Sequence, residues 1–420
     1  MDENTVVVTG VGLVTAAGDA CQTWHAIKNG CSAVSWVDLD AGANYPARLP
    51  GAIIEHDYWP DGLSKPKRFR SLPEVAKISL VAAYEAVTAA RTGGRNPFVN
   101  AHRVGVIMGT SLAAAELGIQ NHLFVLEGQD SRYLIHGIQA LPNMLGFFLS
   151  NLEGGIPFTG PNLTVSGACA AGLQAVGLGR LLLQTGVVDT VLVGGVDYLF
   201  RTDFPSALLT FNSIGVLGNP TDPEKPWTAC RPFAGGPENG FILGNAAGVL
   251  VLERAEDALA TNANIAGTID GFAQGIDPSS PAKPDEDATQ AKFVIRQALI
   301  NAGLESGDID FVIPHGVGTI GDQTEALALC QEIGYGMPVT SNKPICGHTM
   351  AASGIIGLTT AFRAIEEGIL PPTLNHAGGT SMGLEIPKKM VGGYDIRHVL
   401  INAFGLGGQL ASIIVSGKVD

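Results

Sequence analysis

Two stretches of this chain constrain its fold more than any others. LTVSGACAAGLQAVGLGRLLLQTGV, residues 163–187, and VTSNKPICGHTMAASGIIGLTTAFRAIEEGI, residues 339–369, share one plan. Each leaves a strand-like segment, makes a turn, and enters a helix of very small residues that closes on a glycine. Setting Gly186 against Gly368 places Gly172 on Gly354 and Leu173 on Ile355. Helices this rich in Gly and Ala can approach each other closely, which suits buried helices at the centre of a layered, duplicated fold. Glycine fills 55 of the 420 positions, so close backbone approaches and tight turns are expected well beyond these two helices.

Around this pair, β-branched runs alternate with helical ones. TVVVTG, VGVIMGT, NLTVSG, TVLVGGV, GVLVLER, FVIPHG and VLINAFG read as short buried strands. PEVAKISLVAAYEAVTAAR and QAKFVIRQALINAGL carry the apolar spacing of amphipathic helices. The alternation predicts an α/β fold. A new strand is expected at Ile265, which divides the chain into halves 1–257 and 258–420.

Composition narrows function by exclusion. A formal net charge of −14 opposes nonspecific nucleic-acid binding, which relies on Lys and Arg to neutralise phosphates. The uncharged run 154–179 is broken by Pro157 and Pro161 and does not read as a membrane span. The N-terminus has no basic segment followed by an apolar one, so no secretory signal is expected. The six cysteines are scattered without a CxxC pair, which predicts reduced thiols in a cytoplasmic protein.

Chemistry concentrates in four places. Cys169 sits where NLTVSG gives way to a helix, His315 ends the strand FVIP, and His348 follows Lys343 in SNKPICGH. Taken alone, Cys169 reads as a small buried residue at a close helix contact, and each histidine as a structural one. Metal ligation is unattractive because the histidines are far apart and no second ligand lies at a close spacing. Together the residues suit nucleophilic acyl transfer. A helix start stabilises a thiolate, and the FGLGG turn at 404–408 offers backbone donors for an oxyanion.

At this point the chain resembles the β-ketoacyl-acyl carrier protein synthases of the thiolase superfamily, in the branch of type II fatty-acid and polyketide ketosynthases. The resemblance runs over almost the whole length. VVVTGVGLVTAAG, NLTVSGACAAG, CRPF…GFILGNAAGVLVLERAEDA, HGVGTIGDQTEA, SNKPICGHTMAASG and NAFGLGG occur in the family's order. It implies a thiolase-like duplicated fold of α-β-α-β-α layers. It also implies Cys169 as nucleophile, with His315 and His348 assisting decarboxylation of malonyl-carrier protein and Lys343 supporting them. The oxyanion hole would combine the backbone N–H groups of Cys169 and Leu406, Asp322 and Glu325 would be supporting, and no cofactor or metal would be needed. Leu112, Phe404 and Leu406 would line the acyl pocket.

The resemblance further implies an acyl carrier protein as partner, docked on Lys65, Lys67, Arg68 and Arg70, within a homodimer or a heterodimer with a homologous chain-length-factor subunit. Several motifs depart from the family's pattern. RPFD reads Arg231-Pro232-Phe233-Ala234, GEGAG reads GNAAG with Asn245, HGTST reads HGVGT, and Leu406 replaces a bulky aromatic. These departures favour a specialised polyketide ketosynthase. A fatty-acid elongating enzyme and a noncatalytic chain-length or interaction subunit are the alternatives.

Overall fold

The computed structural model describes residues 5–418 apart from 41–43, 56, 61–71, 113–117, 120–121, 123–124, 129–137, 153–156, 203–204 and 236–238. Nine strands build the main sheet: β1 (Val6–Val14), β2 (Val104–Thr110), β3 (Asn162–Ser166), β4 (Thr190–Asp197), β5 (Ala246–Arg254), β6 (Gly267–Ile276), β7 (Phe311–Ile313), β8 (His398–Gly405) and β9 (Gln409–Ser416). The principal helices are α1 (Glu74–Ala90), α2 (Ala171–Gln184), α3 (Thr289–Ala302), α4 (Gly321–Glu332) and α5 (Ala352–Glu367). Every β-branched run singled out in the sequence lies in one of these strands. The strand expected at Ile265 starts instead at Gly267, after the short helix Ala255–Ala260.

The sheet order is β7-β8-β9-β6-β1-β5-β4-β2-β3, and it is the same plan written twice. In one half β2 runs parallel to β4, β4 antiparallel to β5, and β5 antiparallel to β1. In the other, β7 runs parallel to β8, β8 antiparallel to β9, and β9 antiparallel to β6. The edge strand β3 is matched by a single parallel bridge from Val312 to Val339. Even the irregularities repeat. The β1–β5 ladder shifts register at Thr9 and the β9–β6 ladder shifts at Asp270, each the fourth residue of its strand. The halves meet where β1 pairs with β6 through Val7–Thr268 and Val8–Gly267.

Helices α2 and α5 touch each other and strands of both halves, so they form the central layer. Helix α1 covers β1 and β5 on one outer face, while α3 covers β6 and β9 on the other and packs against α4. The result is the five-layer duplicated arrangement. The largest buried apolar cluster runs through the centre, from Leu173 and Val176 on α2 to Ile355 and Leu358 on α5. Small residues are required there by contact. A Cβ on Gly172 would lie 2.2 Å from the carbonyl oxygen of Ala351. Among the described residues, no helix is long and apolar enough to cross a membrane.

Candidate active site

The starts of α2 and α5 are unusual turns, and they place the reactive groups. Ala168 and Met350 both have positive φ, 49° and 50°, a left-handed conformation costly for a residue with a Cβ. They are counterparts under the pairing that sets Gly172 on Gly354. The first of these turns presents Cys169 from the short 3₁₀ segment Ala168–Ala170 just before α2. The second brings Met350 to the same sulfur, with Sδ 3.8 Å from Sγ.

His348 arrives from the other half of the molecule. Its Nε2 lies 3.0 Å from Cys169 Sγ, and its Nδ1 lies 3.1 Å from the hydroxyl of Ser353. Its backbone is held on both sides, donating to Ile242 and accepting from Gly244. The His315 ring stands edge-on to the His348 ring with centroids 5.2 Å apart. The thiol and the two imidazoles offer atoms that all lie within 4.8 Å of one another. A tetrahedral zinc would hold its sulfur and nitrogen ligands about 3.5 Å apart. The 3.0 Å separation of Sγ and Nε2 is therefore that of groups sharing a proton.

His315 is fixed by carboxylates beneath its turn. Glu325 accepts from the backbone N–H groups of His315 and Gly316, each at 2.8 Å, and from the Asn402 amide at 3.1 Å. Asp322 accepts from Val317, Gly318 and Phe233. Burial pushes Glu325 up to about 7 and Asp322 up to about 6, against the pull of those amides. Lys343 is buried, and burial lowers its pKa, while the charge of Glu325 acts to raise it. Asp322 and Glu325 thus build the turn that carries His315, and Lys343 lies buried within reach of the Glu325 charge.

Burial pushes the Cys169 thiol up to about 12, and the charge of Asp197 adds to that effect. The backbone N–H groups of Leu406 and Cys169, and the charge of Lys343, oppose it. Both amides expected to form an oxyanion hole are therefore directed at the sulfur. Burial lowers His315 to about 3 and takes His348 well below the ordinary imidazole value. Both rings are neutral near pH 7, so His348 can accept a proton and either ring can donate an N–H bond. The expected consequence is a pH–rate profile with no fall where an ordinary imidazole titrates. Malonyl decarboxylation should stay within about twofold between pH 7.5 and 6.0. Because Glu325 is pushed up to about 7, a tenfold fall across that window would show that a histidine becomes protonated there only if it persists in Glu325→Gln.

A cavity of about 190 Å³ opens onto Cys169, His315 and His348. Phe404 and Leu406 line it, as expected, together with Phe211, Phe241 and Met350. Leu112 is absent from that lining: it is 44% exposed, and its backbone N–H donates to Asp197. The wall contributed by Phe211 and Phe241 carried no clear sequence signal: Phe211 lies in the short helix Ser206–Ser213, and Phe241 just before the two-residue strand Leu243–Gly244. Pro281 and Pro284, in the segment after β6, line the cavity too. Lys65, Lys67, Arg68 and Arg70 lie outside the described residues. Asn245, one of the departures, is buried. Its amide donates to the Phe200 carbonyl and accepts from the Leu199 N–H, holding the chain beyond β4.

The model of the beta-ketoacyl synthase N-terminal domain matches residues 3–258, and that of the C-terminal domain matches residues 266–377. The chain belongs to the beta-ketoacyl synthase family. It is 26% identical to a 3-oxoacyl-[acyl-carrier-protein] synthase 2 of Vibrio harveyi over 422 residues, covering 99% of each chain. It is 30% identical to the tetracenomycin polyketide synthase ketoacyl synthase alpha subunit of Streptomyces glaucescens over 387 residues, covering 89% of this chain and 88% of that one. The solved ishigamide ketosynthase/chain length factor superposes with a TM-score of 0.85 at 27% identity, covering 99% of both chains.

Proposed function

We propose that this protein is a β-ketoacyl-acyl carrier protein synthase that joins malonyl-carrier protein to an acyl group held on Cys169. The observation that carries the reading is the Cys169–His348 contact of 3.0 Å, with His315 alongside and two backbone donors at the sulfur. In the first step the thiol proton passes to His348 Nε2 as sulfur attacks the incoming thioester, and the departing carrier thiol takes the proton. In the second, malonyl-carrier protein loses carbon dioxide. The two imidazoles stabilise the enolate oxygen, and its carbon attacks the Cys169 thioester. A carbon–carbon bond forms, the bond to Sγ breaks, and the thiolate is reprotonated. The amides of Cys169 and Leu406 receive the oxyanion in both steps. Lys343 offsets the buried carboxylates, and no cofactor enters the scheme.

Within that class, we place the chain as the catalytic ketosynthase subunit of a cytoplasmic type II polyketide synthase. The altered GNAAG and HGVGT motifs and the likeness to a polyketide alpha subunit support this. The partners would be acyl carrier protein and a homologous chain-length subunit. The division between halves is placed at residues 257 and 258, within the helix that follows β5. Fatty-acid elongation is the second reading, favoured by the likeness to 3-oxoacyl-carrier protein synthases. Incubation with malonyl- and acyl-carrier protein, with and without candidate partner subunits, separates the two. Carrier-bound products that keep their ketones, read by mass, indicate polyketide synthesis, whereas a single condensation on long saturated starters indicates elongation.

The carrier is expected to dock on the basic group Lys65, Lys67, Arg68 and Arg70, which stands out on a chain of net charge −14. Reversing Lys67 and Arg68 to glutamate should raise KM for carrier-bound substrate about tenfold and spare a small thioester mimic. Equal loss with both substrates would remove the docking role.

A further inference from the structure

The duplication places a second copy of the active-site framework across the molecule, and its occupant is a carboxylate. Strands β4 and β8 hold the same position in their halves, and both are eight residues long. Their last residues, Asp197 and Gly405, are therefore counterparts. The pairing of α2 with α5 makes Ala351 the counterpart of Cys169 and Ser166 that of His348. Through the strand pairings Val193–Ile107 and Ile401–Ile313, Gly109 is the counterpart of His315. None of the three counterparts carries a thiol or an imidazole.

What the second framework retains of the oxyanion hole is one donor, the Ala351 N–H, which is the counterpart of the Cys169 N–H. Asp197 is fully buried. Its carboxylate accepts from the Ala351 N–H at 3.0 Å, the Ser111 N–H at 3.1 Å, the Leu112 N–H at 3.2 Å and the Thr110 hydroxyl at 3.0 Å. Burial raises the pKa of this carboxyl, and the Ala351, Leu112 and Ser111 N–H groups act to lower it. In the reactive framework, Gly405 leaves the equivalent space open. A Cβ there would stand 3.0 Å from the Cys169 backbone nitrogen. Gly405 has φ −121° and ψ 158°, a conformation open to any residue, so its lack of a side chain is a matter of room beside Cys169.

We propose that Asp197 holds, in the duplicate framework, the place beside the Ala351 N–H that an oxyanion takes beside the Cys169 N–H, and that it acts as a positioning residue for Cys169. This rests on the reading of the Cys169 and Leu406 amides as the working oxyanion hole. By holding the Ala351 N–H, Asp197 fixes the turn that brings Met350 against the sulfur and starts α5, from which Ser353 orients His348. The charged and titratable groups facing the thiol are Asp197, Lys343, His315 and His348. Among them Asp197 acts to keep the thiol protonated and Lys343 acts the other way. A resting thiol would thereby be guarded from oxidation and alkylation until an acyl donor is in place and His348 takes the proton.

The test is Asp197→Asn, read by iodoacetamide alkylation of the Cys169 peptide as a function of pH and by condensation kinetics. Asparagine removes an acceptor oxygen and turns a donor toward one of the amides now bound by the carboxyl group. The alkylation profile should move to lower pH by about one unit. The condensation kcat should fall about tenfold while KM for malonyl-carrier protein stays within about twofold. A merely structural role would lower Tm and leave the alkylation profile in place, and that result would overturn the proposal. Should this variant not fold, Gly405→Asp decides the matter by writing the carboxyl group into the working hole. Acylation of Cys169 should then fall by about a hundredfold or more, with alkylation moved to higher pH. Acylation within twofold of the parent would overturn the proposal. The alkylation readouts do not depend on whether Cys169 is the nucleophile, which Cys169→Ala tests separately.

Discussion

Cys169→Ala should lower condensation by more than about a thousandfold, while Cys169→Gln keeps or raises the decarboxylation of malonyl-carrier protein. Cys169, Cys230, Cys330 and Cys346 are all buried, and burial raises the pKa of each thiol. Cys169 differs in having an imidazole nitrogen 3.0 Å away and the Leu406 and Cys169 amides directed at its sulfur. Cys230 donates instead to the Val317 carbonyl, and Cys330 to that of Met382. Alanine removes the atom that holds the acyl group, and neither histidine can replace it as a thioester. Glutamine places an amide carbonyl where the thioester carbonyl would lie, so the oxyanion donors are occupied as in the acylated enzyme. The histidine pair is untouched and can still stabilise an enolate, which then takes a proton from solvent. Undiminished condensation by Cys169→Ala would defeat the mechanism, and loss of decarboxylation in Cys169→Gln would defeat the division of labour within it.

His348→Ala should slow acyl transfer to Cys169 by about a thousandfold. A thiol held near 12 is ionised to only about one part in a hundred thousand at pH 7, so transfer needs a base in contact with the sulfur. His348 is that group, with its other nitrogen 3.1 Å from the Ser353 hydroxyl. Ser353→Ala should cost less, about tenfold, because the ring remains but loses its orienting partner. Rapid-quench measurement of acyl-enzyme formation distinguishes these effects from losses in the condensation step. If His348→Ala acylates at the parent rate, proton transfer must run through another group.

Much of this site was legible because its chemistry sits in turns with recognisable residues. Cys169, His315, His348, Lys343 and the 404–408 turn all come together in space, from both halves of the chain. The repeat was legible at the central helices, since the glycines that permit their contact cannot be replaced without a clash. The structure extends that repeat to strand order, to a shared register shift and to the paired conformations of Ala168 and Met350. Other features had no local signal. Phe211 reaches the cavity from the short helix Ser206–Ser213 and Phe241 from the segment before Leu243, and their rings meet at 5.5 Å only after folding. The family resemblance implies Leu112 as a pocket residue, but its backbone is drawn to Asp197 and its side chain is exposed. Asp197 itself looks like an ordinary strand-end carboxylate, because its donors come from residues 110–112 and from Ala351 in the other half.

Trapping the acyl-enzyme tests the central claim most directly. The protein is mixed with acyl-carrier protein in the absence of malonyl-carrier protein, quenched in acid and digested, and the acyl mass is located by peptide sequencing. The mass should appear on Cys169 alone and disappear when malonyl-carrier protein is added before the quench. Acyl mass on Cys230 or Cys346, or condensation that proceeds with Cys169 unmodified, would contradict the account.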